Sequence, residues 1–219
     1  MRRSTRGLRS AHPPAPGWRG QGFVISITGV GGAGCRAVDQ LAGNIPSDIK
    51  RACLDTDPDV LRQPPGAATL LIGEHTKPRP FHALPPDWSR MAAREDENRI
   101  ARMVAGNALV IVIAGLGGGA GSGIAPALLE ICKASGVLTV AVVSRPFTFE
   151  GRRRAATAMD ALCAVEALAD RTILVPCDRV RGMLAPGVGI NGAFRDAAAA
   201  LSIGARGIAM LMHGFADRP

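Results

Sequence analysis

The sequence predicts an α/β fold with a doubly wound, mostly parallel sheet, and three observations support this prediction. The apolar runs at residues 23–27 and 110–113 lack the polar alternation of half-exposed strands, so both faces of each strand are expected to be buried. A glycine-rich segment follows each run, and a stretch with helical periodicity follows each glycine-rich segment. Repeated strand–loop–helix units of this kind indicate a parallel sheet with helices on both faces.

The remaining elements follow from periodicity and from the positions of glycine and proline. Strands are predicted at residues 21–28, 51–54, 69–72, 110–113, 137–143 and 172–175. Besides the helix that the first glycine-rich segment opens, helices are predicted at about residues 89–103, 124–135, 152–168 and 192–212. Residues 73–87 are predicted to form a loop, because their prolines exclude regular structure.

Composition indicates one folded domain over residues 21–219, preceded by a disordered basic leader at residues 1–20 that is rich in Arg, Pro and Gly. No uninterrupted apolar run reaches the roughly 18 residues of a membrane helix, so no transmembrane segment is predicted. The five scattered cysteines form no C-x-x-C pair, which is typical of reduced thiols in a cytoplasmic protein. The four histidines lack metal-ligand spacing, and no metal site is predicted.

The net charge of +8 has two interpretations. It could attract an anionic partner such as nucleic acid or a membrane surface, or it could belong to an Arg-rich solvated tail. Much of it lies in the leader, and the chain has no Tyr and only two Trp for stacking on bases. We therefore expect no specific nucleic-acid partner.

The glycine-rich segments predict phosphate binding. Residues 29–34 satisfy G-x-G-x-x-G between a strand and a helix, and Asp55 and Asp57 follow about 20 residues later, where a Rossmann dinucleotide site has its ribose-binding acid. Alone, this pattern predicts an NAD or FAD domain. Residues 115–123 form a second such segment, which is not a Walker loop because no Gly-Lys-Ser/Thr follows. Exposed N–H groups at the start of each helix would bind an anion.

Two such segments suit a polyphosphate better than a dinucleotide. The carboxyl ends of parallel strands lie at one edge of the sheet, so both segments can converge on one ligand. The alternative is that one of the two segments is only a tight turn between strand and helix.

Four segments together resemble the FtsZ family, the bacterial relatives of tubulin. Residues 29–34 resemble its first phosphate loop, residues 55–57 its Asn-Thr-Asp loop, residues 114–123 its tubulin signature, and residues 138–154 its next strand and ribose-contacting loop. The resemblance runs from about residue 23 to near the C-terminus. It implies a Rossmann-like GTPase domain that binds GTP or GDP, with Mg²⁺ as a further expected ligand.

The resemblance also implies site residues. Glu150 and Arg154 would contact ribose and phosphates, and Phe194 would stack on guanine. Asp217, in a Phe-Ala-Asp element, would polarise water at the nucleotide of a neighbouring subunit. The full set of expected nucleotide contacts is Gly31, Gly32, Ala33, Arg36, Asp57, Gly117, Gly118, Gly119, Ala120, Gly121, Ser122, Glu150, Arg154, Cys177 and Phe194.

Several residues depart from the family pattern at the site itself. Arg36 and Cys177 stand where the family has Asn, Ala120 stands where it has Thr, and Ala198 replaces an acidic or amide residue. Losing a hydrogen bond to a base edge reduces discrimination strongly. We therefore expect phosphate binding, without assured guanine selection or hydrolysis.

The combined hypothesis is a GTP-binding, FtsZ-like protein of bacterial cell division with weak or absent hydrolysis. It would lie in the cytoplasm at the division site and associate with itself or with full-length FtsZ-like subunits. The second domain of the family is expected to be absent. Two alternatives remain: a non-enzymatic module that caps or regulates filaments and, less favoured, an NAD-binding Rossmann protein.

Overall fold

The computed structural model describes residues 23–62, 65–75, 84–182 and 189–216. The predicted leader at residues 1–20 and the predicted catalytic Asp217 lie outside the described residues.

The described residues form one six-stranded sheet. Its strands are β1 (Ile25–Val30), β2 (Lys50–Asp55), β3 (Ala68–Leu71), β4 (Leu109–Gly115), β5 (Leu138–Arg145) and β6 (Arg171–Pro176). They pair in the order β3-β2-β1-β4-β5-β6, and every pair is parallel. This is the Rossmann order, in which the direction of winding reverses between β1 and β4. The predicted doubly wound parallel sheet is confirmed.

Six helices and a short 3₁₀ turn at Thr148–Glu150 lie between the described strands, and two further helices follow β6. The helices are α1 (Gly31–Asp39), α2 (Pro58–Leu61), α3 (Pro86–Glu95), α4 (Glu97–Val104), α5 (Gly119–Ala134), α6 (Arg152–Leu168), α7 (Cys177–Gly182) and α8 (Ile190–Ala216). The strands each lie within a few residues of their predicted positions, and α6 has its predicted bounds.

The prediction of one helix over residues 89–103 is wrong, because the chain breaks at Asp96 into α3 and α4. Helix α3 also begins at Pro86, inside the predicted loop, since proline is tolerated in the first turn of a helix. The buried carboxylate of Asp96 accepts a hydrogen bond from the Gly73 N–H at 2.7 Å and forms a salt bridge with Arg99 at 2.9 Å. It thereby anchors the turn after β3 to the junction between the two helices. Helical periodicity cannot reveal this long-range contact.

The core consists of one apolar layer on each face of the sheet. Alternate side chains of β4 show the division: Val110 and Val112 pack in the layer that holds α3 to α6, whereas Ile111 and Ile113 pack in the layer that holds α1 and α8. Burial on both faces explains why these strands are continuously apolar in sequence.

Helix α5 begins at Gly119, five residues before the predicted start at residue 124. Most of the second glycine-rich segment is therefore helix and not loop. A Cβ built at Gly119 would lie 1.6 Å from the Leu84 carbonyl oxygen, and one at Gly123 would lie 2.2 Å from the Pro86 carbonyl oxygen. These glycines thus permit close packing of the segment around the start of α3, in addition to any role toward a ligand.

One helix among the described residues, Ile190–Phe215, is long and apolar enough to cross a membrane by length and composition. A core helix of a soluble protein passes the same test, so this is weak evidence. The predicted absence of a transmembrane segment stays a prediction.

We predict that Gly119→Ala destabilises the fold by about 3 kcal/mol or more, because backbone atoms of Leu84 occupy the position of the new methyl group. Gly118→Ala is the matched control, since a Cβ there meets nothing within 4 Å and its φ is −95°. Thermal unfolding of both variants measures the difference. Equal melting temperatures for the two variants would contradict this packing.

Candidate functional site

A cavity of about 270 Å³ lies at the carboxyl ends of the strands, where α1 and α5 begin. The two helix starts touch each other: a Cβ at Gly31 would lie 2.9 Å from the Gly121 nitrogen. Gly31 itself has a φ of +73°, which favours glycine. Two helix N-termini therefore present N–H groups and positive dipole ends to one cavity, which suits an anion with several phosphates.

Most of the predicted site residues line this cavity. They are Gly31, Gly32, Ala33, Arg36, Asp57, Gly118, Gly119, Ala120, Gly121, Glu150, Arg154, Cys177 and Phe194. Gly118 is the glycine of the second segment whose Cβ position is open. The structure thus brings together residues from both glycine-rich segments, from the loop after β2 and from α8.

Gly117 and Ser122 are the two described predicted residues that are not among the lining residues. The Gly117 N–H donates a hydrogen bond of 2.8 Å to the buried Ser122 hydroxyl oxygen, and Gly117 has a φ of +101°. Their observed contact supports the turn between β4 and α5. The prediction that both contact phosphates stays untested.

Several lining residues are not among the expected nucleotide contacts: Asp55, Thr56, Val60, Leu84, Gly115, Leu116, Ser144, Pro146, Ala197, Ala198 and Leu201. Of these, the sequence does indicate Asp55, as a candidate ribose-binding acid after the G-x-G-x-x-G pattern. Helical spacing offered a signal for three of them, because Ala197, Ala198 and Leu201 follow Phe194 along one face of α8. Leu84 gave no signal, since it reaches the cavity from an irregular proline-rich segment. Ala198 had been recognised only as a departure from the family pattern.

Asp55 places a carboxyl group in the wall of the cavity. Burial raises its pKa to about 6, against the opposing effect of hydrogen bonds from the Asp57 and Thr56 N–H groups. The Asp57 N–H lies 2.9 Å from the Asp55 Oδ1. Asp55 is therefore largely ionised at neutral pH, where its charge opposes an anion in the same cavity.

Glu150 and Arg154 form a salt bridge of 2.7 Å at the mouth of the cavity. Glu150 also accepts a hydrogen bond of 2.8 Å from the Phe147 N–H, which fixes the carboxylate on its 3₁₀ turn. The Arg154 side chain is 55% exposed. Its guanidinium can therefore turn toward an anion while Glu150 holds it nearby.

Arg36 brings a second cation to the first glycine-rich segment. It lies on α1, it is exposed, and its Nη2 atom lies 3.6 Å from the position of a Cβ on Gly32. The salt bridges of the described residues do not include Arg36. Its charge is thus available to a phosphate beside Gly32.

The opposite end of the cavity is largely apolar. Phe194 makes edge contacts with Phe147 and Phe149, at centroid distances of 5.6 and 6.1 Å. Cys177 is buried beside this cluster, and burial raises the pKa of its thiol to about 11, with a smaller opposing contribution from the Ser144 hydroxyl. Cys177 is therefore a neutral thiol at physiological pH and not a nucleophile.

Two carboxylates at the carboxyl end of β2 could offer oxygen ligands to a cation. Asp55 and Asp57 line the cavity, and Mg²⁺ commonly binds through one or two carboxylates together with substrate phosphates. No cluster of three or more potential metal ligands occurs in the described part of the chain.

A sheet in Rossmann order, with two glycine-started helices meeting over one cavity, defines a class of α/β domain that binds phosphate groups at the switch point. Comparison with known families specifies the class further. The family model described as Tubulin/FtsZ family, GTPase domain, matches residues 24–185. The chain belongs to the Tubulin/FtsZ family.

Individual relatives agree with this assignment. The cell division proteins FtsZ of Azotobacter vinelandii and Pseudomonas aeruginosa are each 35% identical over 188 residues, which is 86% of this chain and 48% of theirs. An FtsZ dimer structure from M. jannaschii has a TM-score of 0.81 at 30% identity, over 86% of this chain and 55% of that one. The chain spans about half the length of the curated relatives that it matches.

We predict that Asp55→Asn stabilises the protein above pH 6. The folded chain holds a proton on Asp55 up to a pH of about 6, whereas the unfolded chain releases it near the ordinary value of 3.8. The free energy of unfolding of the wild type should therefore fall relative to that of the variant between about pH 4 and pH 6, by on the order of 2 kcal/mol. Denaturant unfolding across this range measures it, and a difference that does not change with pH would contradict the buried carboxyl.

Proposed function

We propose that this chain is a nucleotide-binding FtsZ-like domain that binds GTP or GDP and hydrolyses GTP slowly or not at all. The observation that carries the proposal is the convergence of two helix N-termini on one cavity of about 270 Å³. A single phosphate loop, as in an NAD site, would leave one of these helix starts without a ligand.

The residues around the cavity suit the parts of a nucleoside triphosphate. The N–H groups near Gly32 and Gly118 would receive the phosphates, and Arg36 and Arg154 would neutralise part of their charge. Mg²⁺ would bind the phosphates together with Asp57. Phe194 would contact the base from the apolar end.

Weak hydrolysis is proposed on chemical grounds. Phosphoryl transfer to water depends on positioning and on neutralisation of charge. Ala120 lines the phosphate end without the hydroxyl that Thr would offer to a phosphate or to Mg²⁺. The charge of Asp55 at neutral pH further opposes additional negative charge in the cavity.

Asp217 is proposed as the residue that polarises water in a neighbouring subunit.

The proposed biological role follows from the relatives, whose names describe cell division proteins. We place the chain in the cytoplasm at the division site, in association with itself or with full-length FtsZ.

A second candidate function is a non-enzymatic module that caps or regulates FtsZ filaments. One observation favours it: α8 exposes Ile203, Met210, Leu211 and Phe215, and this spacing puts them along one side of the helix. Binding to FtsZ filaments that is equally strong with and without nucleotide would favour this function over the first.

We predict that Arg36→Gln weakens GTP binding about tenfold, because a charge-assisted contact to phosphate is lost. Arg153→Gln is the matched control, since it removes the same charge from an exposed position of α6 that does not line the cavity. Calorimetric titration with GTP, GDP and NAD provides the affinities. Binding of NAD without binding of GTP would support the Rossmann alternative and overturn the proposal.

We also predict that purified chain with GTP and Mg²⁺ releases phosphate far more slowly than a typical enzyme, whose turnover is about 1 s⁻¹ or faster. The measurement is phosphate release at saturating GTP, with Gly119→Ala as a control for contaminating activity, because Gly119 lines the cavity. Turnover near 1 s⁻¹ that disappears in this control would contradict weak hydrolysis.

A further inference from the structure

The apolar end of the cavity determines which base the site accepts. It is lined by Cys177 after β6, by Ser144 at the end of β5, and by Phe194, Ala197, Ala198 and Leu201 on one face of α8. Phe194 can stack on any purine, because stacking depends on the ring face and not on the groups at its edge. Discrimination between bases must therefore come from the remaining residues.

Guanine differs from adenine at the edge of the ring. Guanine carries N–H donors at N1 and N2, and the side chains best suited to accept hydrogen bonds from both are a carboxylate or an amide. Ala197, Ala198 and Leu201 offer no polar side-chain atom. The Cys177 thiol is a weak hydrogen-bonding group, and it interacts with the Ser144 hydroxyl.

The nearby carboxylates are separated from this end or already engaged. Asp55 and Asp57 follow β2, which lies on the far side of β1 from β5 and β6 in the sheet. The Glu150 carboxylate accepts a hydrogen bond from the Phe147 N–H and forms a salt bridge with Arg154. The two oxygens of Asp178 accept hydrogen bonds from the Thr148 N–H and hydroxyl.

The sequence of residues 183–188, Met-Leu-Ala-Pro-Gly-Val, contains no carboxylate or amide side chain. Arg36 can donate but cannot accept a hydrogen bond, and its guanidinium lies beside Gly32 at the phosphate end.

We propose that the site holds purine nucleotides by phosphate contacts and base stacking, and that it binds ATP and GTP with similar affinity. This inference rests on the proposed function, because it concerns the base end of the same cavity. A site that hydrogen-bonds one base rejects an analogue lacking those groups by several powers of ten. Because the described residues that line this end include no carboxylate or amide side chain, the affinities for GTP and ATP should differ by less than about tenfold, or about 1.4 kcal/mol.

The primary test is calorimetric titration of the wild-type chain with GTP and with ATP at the same Mg²⁺ concentration. We expect both to bind, with dissociation constants within about tenfold of each other. GTP binding more than about a hundredfold tighter than ATP would overturn the inference and leave the proposed function intact. Failure of both nucleotides to bind would overturn the proposed function.

A pair of variants at Ala198 tests the cause. Ala198→Asp introduces two acceptor oxygens at the base end and should shift the affinity ratio toward GTP by about tenfold or more. Ala198→Val has a similar size but no polar side-chain atom, so it should leave the ratio close to that of the wild type. Ala198 is 1% exposed, so melting temperatures with and without nucleotide must show that both variants fold. If both variants fold and have the same ratio of GTP affinity to ATP affinity, the assignment of Ala198 to the base end is contradicted.

Discussion

The rest of the structure depends on the close approach of backbone to backbone at the carboxyl ends of β1 and β4. A Cβ at Gly34 would lie 2.2 Å from the Ile113 carbonyl oxygen, and one at Gly121 would lie 2.1 Å from the Gly115 carbonyl oxygen. Only glycine permits these distances, because any side chain would push the helix away from the strand. The first turns of α1 and α5 are thereby pressed against the same part of the sheet, which brings two helix N-termini to one cavity.

This constraint changes the meaning of the glycine-rich segments. In sequence, their glycines predict loops that leave room for a phosphate. In the structure, a Cβ added at most glycines of the second segment would instead collide with a carbonyl oxygen of the protein itself. Gly118 is the exception, with open space where its side chain would be. The resulting site combines the positive ends of two helices with the positive charges of Arg36 and Arg154. The buried carboxyl group of Asp55 opposes them with a negative charge when it is ionised. In the proposed function, phosphate charge would dominate binding, and the apolar base end would add contact without selection.

The sequence predicted the sheet well, because strands buried on both faces must be apolar along their whole length, as in β4. It predicted the start of α5 badly, since glycine is a poor helix former and its helical role here depends on the carbonyl of Leu84 in another segment. The break at Asp96 and the wall residue Leu84 were hidden for the same reason: contacts distant in sequence create them. Resemblance to a family supplied Arg154 and Phe194, which no local pattern would have selected.

The most direct test of the account is a crystal structure of this chain with a slowly hydrolysed GTP analogue and Mg²⁺. The account predicts phosphate oxygens within hydrogen-bond distance of N–H groups at both helix starts, near Gly32 and near Gly118, with the base beside Phe194. Phosphates that contact only the α1 start, as a dinucleotide would, or that lie outside this cavity, would contradict it.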